Sequence, residues 1–424
     1  MLDIKFIIEN KELVQDGLNK KGFTNINLDE LVSTHSRLTS FITSTQELRE
    51  EKNRLSNSIK TANAEDRPQI IEQSRAVGEE LKQEEEELRA LTEQFDSMML
   101  LMPNMPSADS PVGKDDAENV VVRKVGDLPK FDFEPLDHIR LMEKNNWSEM
   151  ERIAQVSGSR TYAIKGELAR LELAIHTYVL DKLTGFGFTT MNVPSISKQK
   201  PLYGMGYLPF ASDEIYYMSA DELYLAGTAE LVLNSLHADE ILSENDLPIL
   251  YAGFSPCFRR EAGAAGKDTR GLVRVHQFMK TEQFVICRND IKESEAWHQK
   301  LLAISEEILQ DFEIPYQVLE VCTGDMGAPK YRQFDLEAWV PSQNVYRETH
   351  SASNITDWQA RRTNLRYREN ADGKVKFAHT LNNTGIATPR ALVPFMENHQ
   401  QNDGSIRIPE KLQPYMMGKK SIGG

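Results

Sequence analysis

FRREAGAAGKDTRGLVRVHQF, residues 258–278, gathers four arginines and a lysine within one short stretch of a chain whose formal net charge is −15. A cation cluster in an acidic chain calls for an anion. Glycines at 263, 266 and 271 make the middle of the stretch a loop rather than a helix. VRVHQF then alternates as a strand does. The reading is two short strands joined by a mobile, arginine-lined loop. That geometry suits a polyphosphate, because guanidinium groups make forked hydrogen bonds to phosphate oxygens and stay charged at any working pH.

Outward from this stretch the chain continues in strands. EIYYMS (214–219), LPILYAGFSPCFR (247–259), VRVHQFMKTEQFVIC (273–287) and QFDLEAWVPSQNVYRETHS (333–351) are strand candidates. Upstream, GELARLELAIHTYVLDKL (166–183) is an amphipathic helix, and GFTTMNVPSIS (187–197) is a β-rich run broken by Pro194. Strands following strands, with few helices between them, favour an α+β fold: an antiparallel sheet with helices packed on it. Neither a Walker lysine signature nor GxGxxG occurs, so a P-loop or Rossmann pocket is not indicated.

Residues 29–98 have a different period. Positions 31, 34, 38, 41, 45, 48, 52, 55, 59 and 62 step by three and four, and so do 70, 74, 77, 81, 84, 88, 91, 95 and 98. Each series is an imperfect but sustained heptad seam. TANAEDRP between them supplies turn residues and a proline that can open a second helix. The expectation is two antiparallel helices of about 30 residues joined at Asn63–Pro68, reaching about 45 Å. A dimerisation coiled coil and a nucleic-acid arm both fit this pattern. Charge placement bears on the choice: residues 49–75 hold six basic and five acidic residues, whereas the base of the second helix carries EEEE at 84–87. Cations gathered toward the tip suit a phosphate backbone, with Arg54, Asn57, Lys60, Arg67 and Arg75 as its contacts. MPNMPSADSPVGKDDAEN (102–119) reads as a linker.

Composition narrows the class. Charged residues make up 27% and aromatics 8%, which is ordinary for a folded chain and not for a disordered one. No apolar run approaches the roughly 18 residues a membrane span needs. The start, MLDIKFIIENKELV, lacks the basic lead and unbroken apolar core of a signal peptide. Three widely spaced cysteines, Cys257, Cys287 and Cys322, form no CxxC pair, so a reducing cytoplasm and no structural zinc are expected. The acidic balance argues against nonspecific nucleic-acid coating.

These stretches together resemble the seryl-tRNA synthetases of bacterial type, which are class II aminoacyl-tRNA synthetases, over essentially the whole chain. GFTTMNVPSIS is similar to class II motif 1, FRREAG through VHQF to motif 2, and TGIATPRALVPFMENHQ to motif 3. GTAE (227–230) is similar to the serine loop, and TGDMGAP and ETHSASNITDWQARR match further family blocks. The resemblance implies residues 1–101 as a tRNA-binding domain with its arm at about 29–98, a linker at 102–119, and a catalytic domain at 120–424. It further implies a cytoplasmic homodimer that uses ATP with Mg²⁺, L-serine and a tRNA(Ser) with a long variable arm, extending to tRNA(Sec) where one exists.

Carried over residue by residue, the resemblance makes Arg259, Glu261 and Arg390 catalytic. Arg259 would bridge the α-phosphate and the serine carboxylate, Glu261 would accept from the adenine amine, and Arg390 would hold the γ-phosphate. Arg260, Val275, His276, Gln277, Phe278, Glu348, Thr349, His350 and Ser351 complete the ATP site, with Phe278 stacked on adenine and Glu348 and Ser351 holding Mg²⁺. Thr228, Ala229, Glu230, Arg259, Glu282, Asn382 and Thr384 form the serine site. A site built to hydrogen-bond a hydroxyl rejects analogues that lack it, because its own polar groups are then left unpaired.

The chain departs from the family pattern in places. NNTG (382–385) stands where NGSG is usual, adding a methyl at Thr384. ATPR replaces AVGR, and Pro394 is expected to kink or delay the following helix. ETHSASN stands for ESSSCSN, with His350 and Ala352 in place of small polar residues. KTE (280–282) replaces KVE. Two alternatives compete with the ligase reading. An amino-acid-loading relative acting on a carrier protein is opposed by the intact hairpin. A non-catalytic tRNA-binding relative is opposed by Arg259, Glu261, Glu282, Glu348 and Arg390 together.

Overall fold

In the computed structural model, residues 1–263, 268, 270–370 and 373–424 are described. Residues 264–267 and 269, which belong to the arginine-lined loop expected above, lie outside them. The chain divides into two compact units, one of residues 2–19 and 23–102, the other of residue 1, residues 20–22 and residues 103–424.

The smaller unit opens with helices α1 (Ile4–Glu9) and α2 (Lys11–Lys20), followed by the long helices α3 (Leu28–Thr61) and α4 (Arg67–Leu100). Asn27 caps α3 by accepting from the Glu30 amide, and Asn63 receives the Glu65 and Asp66 amides in the turn. Each long helix has 34 residues, so each runs about 50 Å. The heptad reading describes their packing well. In α4 every seam position is buried or half-buried, and in the first series only Lys52 is exposed. The reason is local: the Lys52 stem lies over Gly78, with Cε and Nζ at 3.6 Å from where a Cβ would stand. Arg49 donates to Glu85 at 2.8 Å and Ser44 to Glu84, and the His35 and Phe95 rings sit 5.4 Å apart.

The larger unit is built on an eight-stranded sheet. Its strands are β1 (Val120–Val125), β2 (Thr189–Asn192), β3 (Ile249–Phe258), β4 (Gln277–Cys287), β5 (Tyr316–Glu320), β6 (Arg332–Val340), β7 (Val345–Thr356) and β8 (His379–Thr388). Their order is β1–β5–β6–β7–β8–β4–β3–β2, antiparallel throughout except for the β2/β3 pair. Helices α5 (Gly166–Gly185), α6 (Ile291–Asp311) and α7 (Leu392–His399) contribute to the main core.

The strand period of two sorts β4 by face. Val285 and Cys287 join the main core with the helices, and Gln283 donates to Ser305 of α6. Phe284 and Ile286 pack with Ala229, Leu233 and Ala360 on the other side. Lys280 and Glu282 share that second face, and there the candidate site lies. His176 of α5 locks the first face, its ring nitrogens bonded to Thr281 Oγ1 (3.0 Å) and Thr388 Oγ1 (2.8 Å).

Several expectations shift. VRVHQF is not strand from its start, because β4 begins only at Gln277. The run 333–351 is two strands, since Pro341 opens a 3₁₀ turn at Pro341–Gln343. The helix after motif 3 starts only at Leu392, and Pro394 does not interrupt it. Pro394 falls in the first turn of α7, where its missing N–H would have had no partner. Residues 103–119 lie in the larger unit, where the Asn104 and Ser107 amides donate to Ala328 O and Tyr331 O.

Candidate active site

The site is assembled from β3, β4, β7 and β8 and from the segment that leads into a short helix (Glu230–Ser235). Two groups of side chains meet on it.

The first group is a buried acceptor pocket. Glu282 is fully buried and lies in register between Gly253 of β3 and Thr384 of β8. Its Oε1 receives Asn382 Nδ2 (3.1 Å), its Oε2 receives Thr228 Oγ1 (3.2 Å), and Lys280 forms an ion pair with it. Glu230 receives Gln359 Nε2 at 2.8 Å, and Gln359 in turn accepts from Thr380. Burial raises the Glu230 carboxyl above its ordinary range and Glu282 adds to this, while Lys330, Gln359 and Lys280 oppose them. Asn382 Oδ1 is buried with no hydrogen-bond partner. It is one of several such buried atoms among the described residues, and its amide nitrogen is bonded to Glu282. Ala229, fully buried, packs its Cβ toward Gly253, where an added methyl would come to 3.0 Å. Thr384 is buried beside this pocket.

The second group is cationic. The Arg259 guanidinium lies 5.3 Å from the Phe278 ring centroid, with Nε 3.4 Å from Gly227 O. Burial opposes its charge, but Tyr207, Cys257, Glu261 and Glu348 outweigh this and raise its pKa. Glu261, at φ +52°, accepts Arg274 Nη1 at 3.2 Å. Arg274 and Arg347 both reach Asp268, at 3.2 and 3.4 Å. Arg390 donates to Val273 O (3.2 Å) and faces the Glu348 carboxylate at 3.7 Å. Arg259, Glu261, Glu348 and Arg390 are therefore neighbours in one cluster.

Around them, Arg260 N donates to Glu214 O, and His276 is tied to the Arg259 carbonyl through Nδ1 (3.1 Å) and to Arg160 O through its amide. Val275 is buried and Gln277 exposed. Thr349 Oγ1 lies within hydrogen-bond distance of both Leu336 O (3.2 Å) and His350 Nδ1 (2.8 Å). His350 is 1% exposed, with Nδ1 engaged by Thr349 Oγ1 (2.8 Å) and Nε2 by Gly385 O (3.0 Å). Both of its ring nitrogens are taken up, so the imidazole braces β7 against β8 at Gly385 rather than offering a hydrogen bond to a phosphate.

A carboxylate cluster flanks the arginines. The β6/β7 register sets Asp335 opposite Ser351 and Glu337 opposite Glu348. Gln333 Nε2 bridges Asp335 Oδ1 (2.9 Å) and Ser351 Oγ (3.1 Å). Burial, then the neighbouring Glu348, pushes Asp335 up to about 7. Oxygen ligands of this kind suit a hard divalent cation, but among the described residues no three or more histidine, cysteine, aspartate or glutamate side chains are grouped to hold one. On the arm, Arg54, Lys60, Arg67 and Arg75 are all exposed. Arg54 pairs with Glu51, Lys60 with Asn57, and Arg75 reaches Glu79 at 3.8 Å.

Sequence reasoning missed Lys280, Lys330, Asp335, Gln359 and Arg347, and counted Arg274 in the arginine stretch without giving it a role. Strand alternation alone places Lys280 beside Glu282. Gln359 and Lys330 come from segments far away in sequence and carry no such signal.

Comparison with known proteins places these features in context. Residues 1–106 match the model of the seryl-tRNA synthetase N-terminal domain, and residues 216–399 match the tRNA synthetase class II core domain (G, H, P, S and T). The serine–tRNA ligase of Deinococcus radiodurans is 46% identical over 423 residues, covering 100% of this chain and 99% of that one. The serine–tRNA ligase of Treponema denticola is 43% identical over 419 residues, 98% of each. Among solved structures, the seryl-tRNA synthetase of Pyrococcus horikoshii complexed with ATP superposes with a TM-score of 0.93 at 39% identity, over 100% of this chain and 99% of that one. The Naegleria fowleri serine–tRNA ligase in complex with AMP gives 0.88 at 30%, with the same coverage.

Proposed function

The chain belongs to the class II seryl-tRNA synthetases, and on that footing we propose how its side chains take up the substrates. It is a serine–tRNA ligase with ATP as co-substrate. The serine carboxylate attacks the α-phosphorus to give seryl-adenylate and pyrophosphate, and a terminal ribose hydroxyl of tRNA then takes the seryl group. Because charge develops on phosphoryl oxygens, the protein's work is positioning and electrostatic stabilisation.

One observation carries the amino-acid assignment: two buried carboxylates and a buried amide oxygen without a hydrogen-bond partner converge on one pocket. Asn382 Oδ1 is an orphan, and Glu282 has three of its roughly four acceptor positions filled. A ligand bringing an ammonium and a hydroxyl satisfies such a pocket. Glu230 and Asn382 take the ammonium, and Glu282 takes the hydroxyl with Thr228 and Thr384 beside it. Arg259 bridges the α-phosphate and the serine carboxylate. Phe278 stacks on adenine, Glu261 accepts from its amine, and Arg260 and residues 275–277 line the pocket. Arg390 clasps the γ-phosphate. Glu348 and Ser351 would hold Mg²⁺, which would supply charge neutralisation to the phosphates; Asp335 steadies Ser351 from the neighbouring strand.

The exposed cations of the α3/α4 arm fit the backbone of a tRNA with a long variable arm, tRNA(Sec) included where present. A homodimer acting in the cytoplasm completes the reading. Among the described residues no helix is long and apolar enough to cross a membrane. The test is ATP–pyrophosphate exchange with each of the twenty amino acids. Serine alone should support fast exchange, and fast exchange with a different amino acid and not serine would overturn the assignment.

A further inference from the structure

Lys21 comes directly after α2, and residues 20–22 belong to the larger unit. Its side chain is buried, 4% exposed. Its Nζ donates to four backbone carbonyl oxygens: Lys330 O (2.9 Å), Gly327 O (3.0 Å), Ala328 O (3.1 Å) and Asn104 O (3.3 Å). Resting on the serine assignment, we propose that Lys21 is a positioning residue for the serine pocket. Its ammonium fills a carbonyl cage, as a monovalent cation would, and so fixes the turn that presents Lys330.

The turn at 327–330 is closed by the Lys330 amide donating to Gly327 O at 3.1 Å. Asn104 completes it from outside, its amide donating to Ala328 O at 2.8 Å and its Nδ2 to Pro329 O at 3.0 Å. Every carbonyl of residues 327–330 therefore has a donor, and three of the four share one ammonium. None of the four Lys21 acceptors is a carboxylate. Burial, and then the neighbouring Lys330, pull the Lys21 ammonium down to about 7. The cage opposes that pull, because only the charged form brings three N–H donors.

The turn leads into the serine site through Lys330. Lys330 Nζ donates to Ser353 Oγ at 2.7 Å, and Ser353 of β7 stands in register with Asn382 of β8. Lys330 is also the main group that opposes burial at Glu230, the carboxylate assigned to the serine ammonium. On the nucleotide side, Arg259 and Arg390 bond to Gly227 O and Val273 O instead of to this turn. Loss of the Lys21 charge should therefore weaken serine and spare ATP.

The experiment measures the KM for serine and for ATP in ATP–pyrophosphate exchange by the full-length wild type, Lys21→Met and Lys21→Ala. Methionine keeps the bulk of the stem without the charge. Alanine opens the cage, and n-propylammonium supplies the atoms that were removed. Both variants should raise the serine KM about tenfold or more, the effect of losing charged hydrogen bonds, with the ATP KM within about threefold of wild type. At constant ionic strength n-propylammonium should lower the Lys21→Ala serine KM by at least about threefold, whereas tetramethylammonium, which has no N–H, should not. Three results overturn the inference: a serine KM within about threefold of wild type, a loss shared equally by serine and ATP, or no benefit from n-propylammonium. Should Lys21→Met fail to fold, Lys21→Ala folded in n-propylammonium decides. Dialysing the amine away should raise the serine KM alone, and a general loss of exchange overturns the inference. Failure of the serine assignment is distinguishable, because the wild type would then show no serine-dependent exchange.

Discussion

Replacing Arg259 by alanine separates catalysis from folding. The guanidinium stacks over Phe278 at 5.3 Å and makes one long hydrogen bond to Gly227 O, at 3.4 Å. Together these stabilise the fold by about 1–2 kcal/mol. Relief of a buried charge offsets part of that, so the melting temperature should move little. The same group faces the position where charge develops during adenylate formation. Removing a preorganised donor of that kind costs about 3–4 kcal/mol in the transition state, a loss of about 10²–10³-fold in rate. The assay is ATP–pyrophosphate exchange at saturating serine and ATP, with thermal unfolding run alongside. Exchange within about threefold of wild type would refute the role, since that is under 1 kcal/mol. Loss of exchange accompanied by a collapse in melting temperature would assign Arg259 to folding instead.

The His35 and Phe95 rings touch across α3 and α4, so excising residues 36–94 with a short Gly-Ser bridge leaves ends that can meet. That variant should keep pyrophosphate exchange and lose tRNA charging, and equal loss of both would make the arm a folding element. Gly78 sits mid-helix with room for a Cβ at ordinary contact from Lys52, so Gly78→Ala should stabilise the arm by about 0.5–1 kcal/mol, read as slower amide exchange in α4; faster exchange would contradict the packing. Burial holds His176 down to about 3 and His298, His350, His379 and His399 to about 4, against an ordinary value of 6.5. Below 6.5 the unfolded chain takes up protons that the folded chain refuses, so stability is lost as pH falls toward about 4, by up to about 1.4 kcal/mol per pH unit for each histidine. Thermal melts should drop over that window, and a flat profile would show that these histidines titrate in place.

The arm was legible because its signal is local: a three–four step of apolar residues survives even where Lys52 interrupts it, since the lysine stem covers a glycine. The antiparallel sheet was legible as strands without intervening helices, but not where each strand began. VRVH precedes β4 as irregular chain: the His276 backbone bonds to Arg160 and Arg259, and Val273 O accepts from Arg390. The arginine and carboxylate positions of the nucleotide cluster followed from motif resemblance. What stayed hidden depends on tertiary juxtaposition. Gln359 reaches Glu230 across 129 positions of sequence, and Lys330 reaches the pocket from a separate loop. His350 looked like a polar departure near the phosphates, and only the face of β7 reveals that its ring is buried against Gly385.

The central claim is that a carboxylate-lined pocket and an arginine cluster grip one seryl-adenylate between them. A crystal structure with a non-hydrolysable seryl-adenylate analogue measures this directly. The serine hydroxyl should lie within hydrogen-bond distance of Glu282, the ammonium should reach Glu230 and Asn382 Oδ1, the phosphate mimic should lie on Arg259, and adenine should rest on Phe278. A hydroxyl turned away from Glu282, with Asn382 Oδ1 still unpartnered, would contradict it.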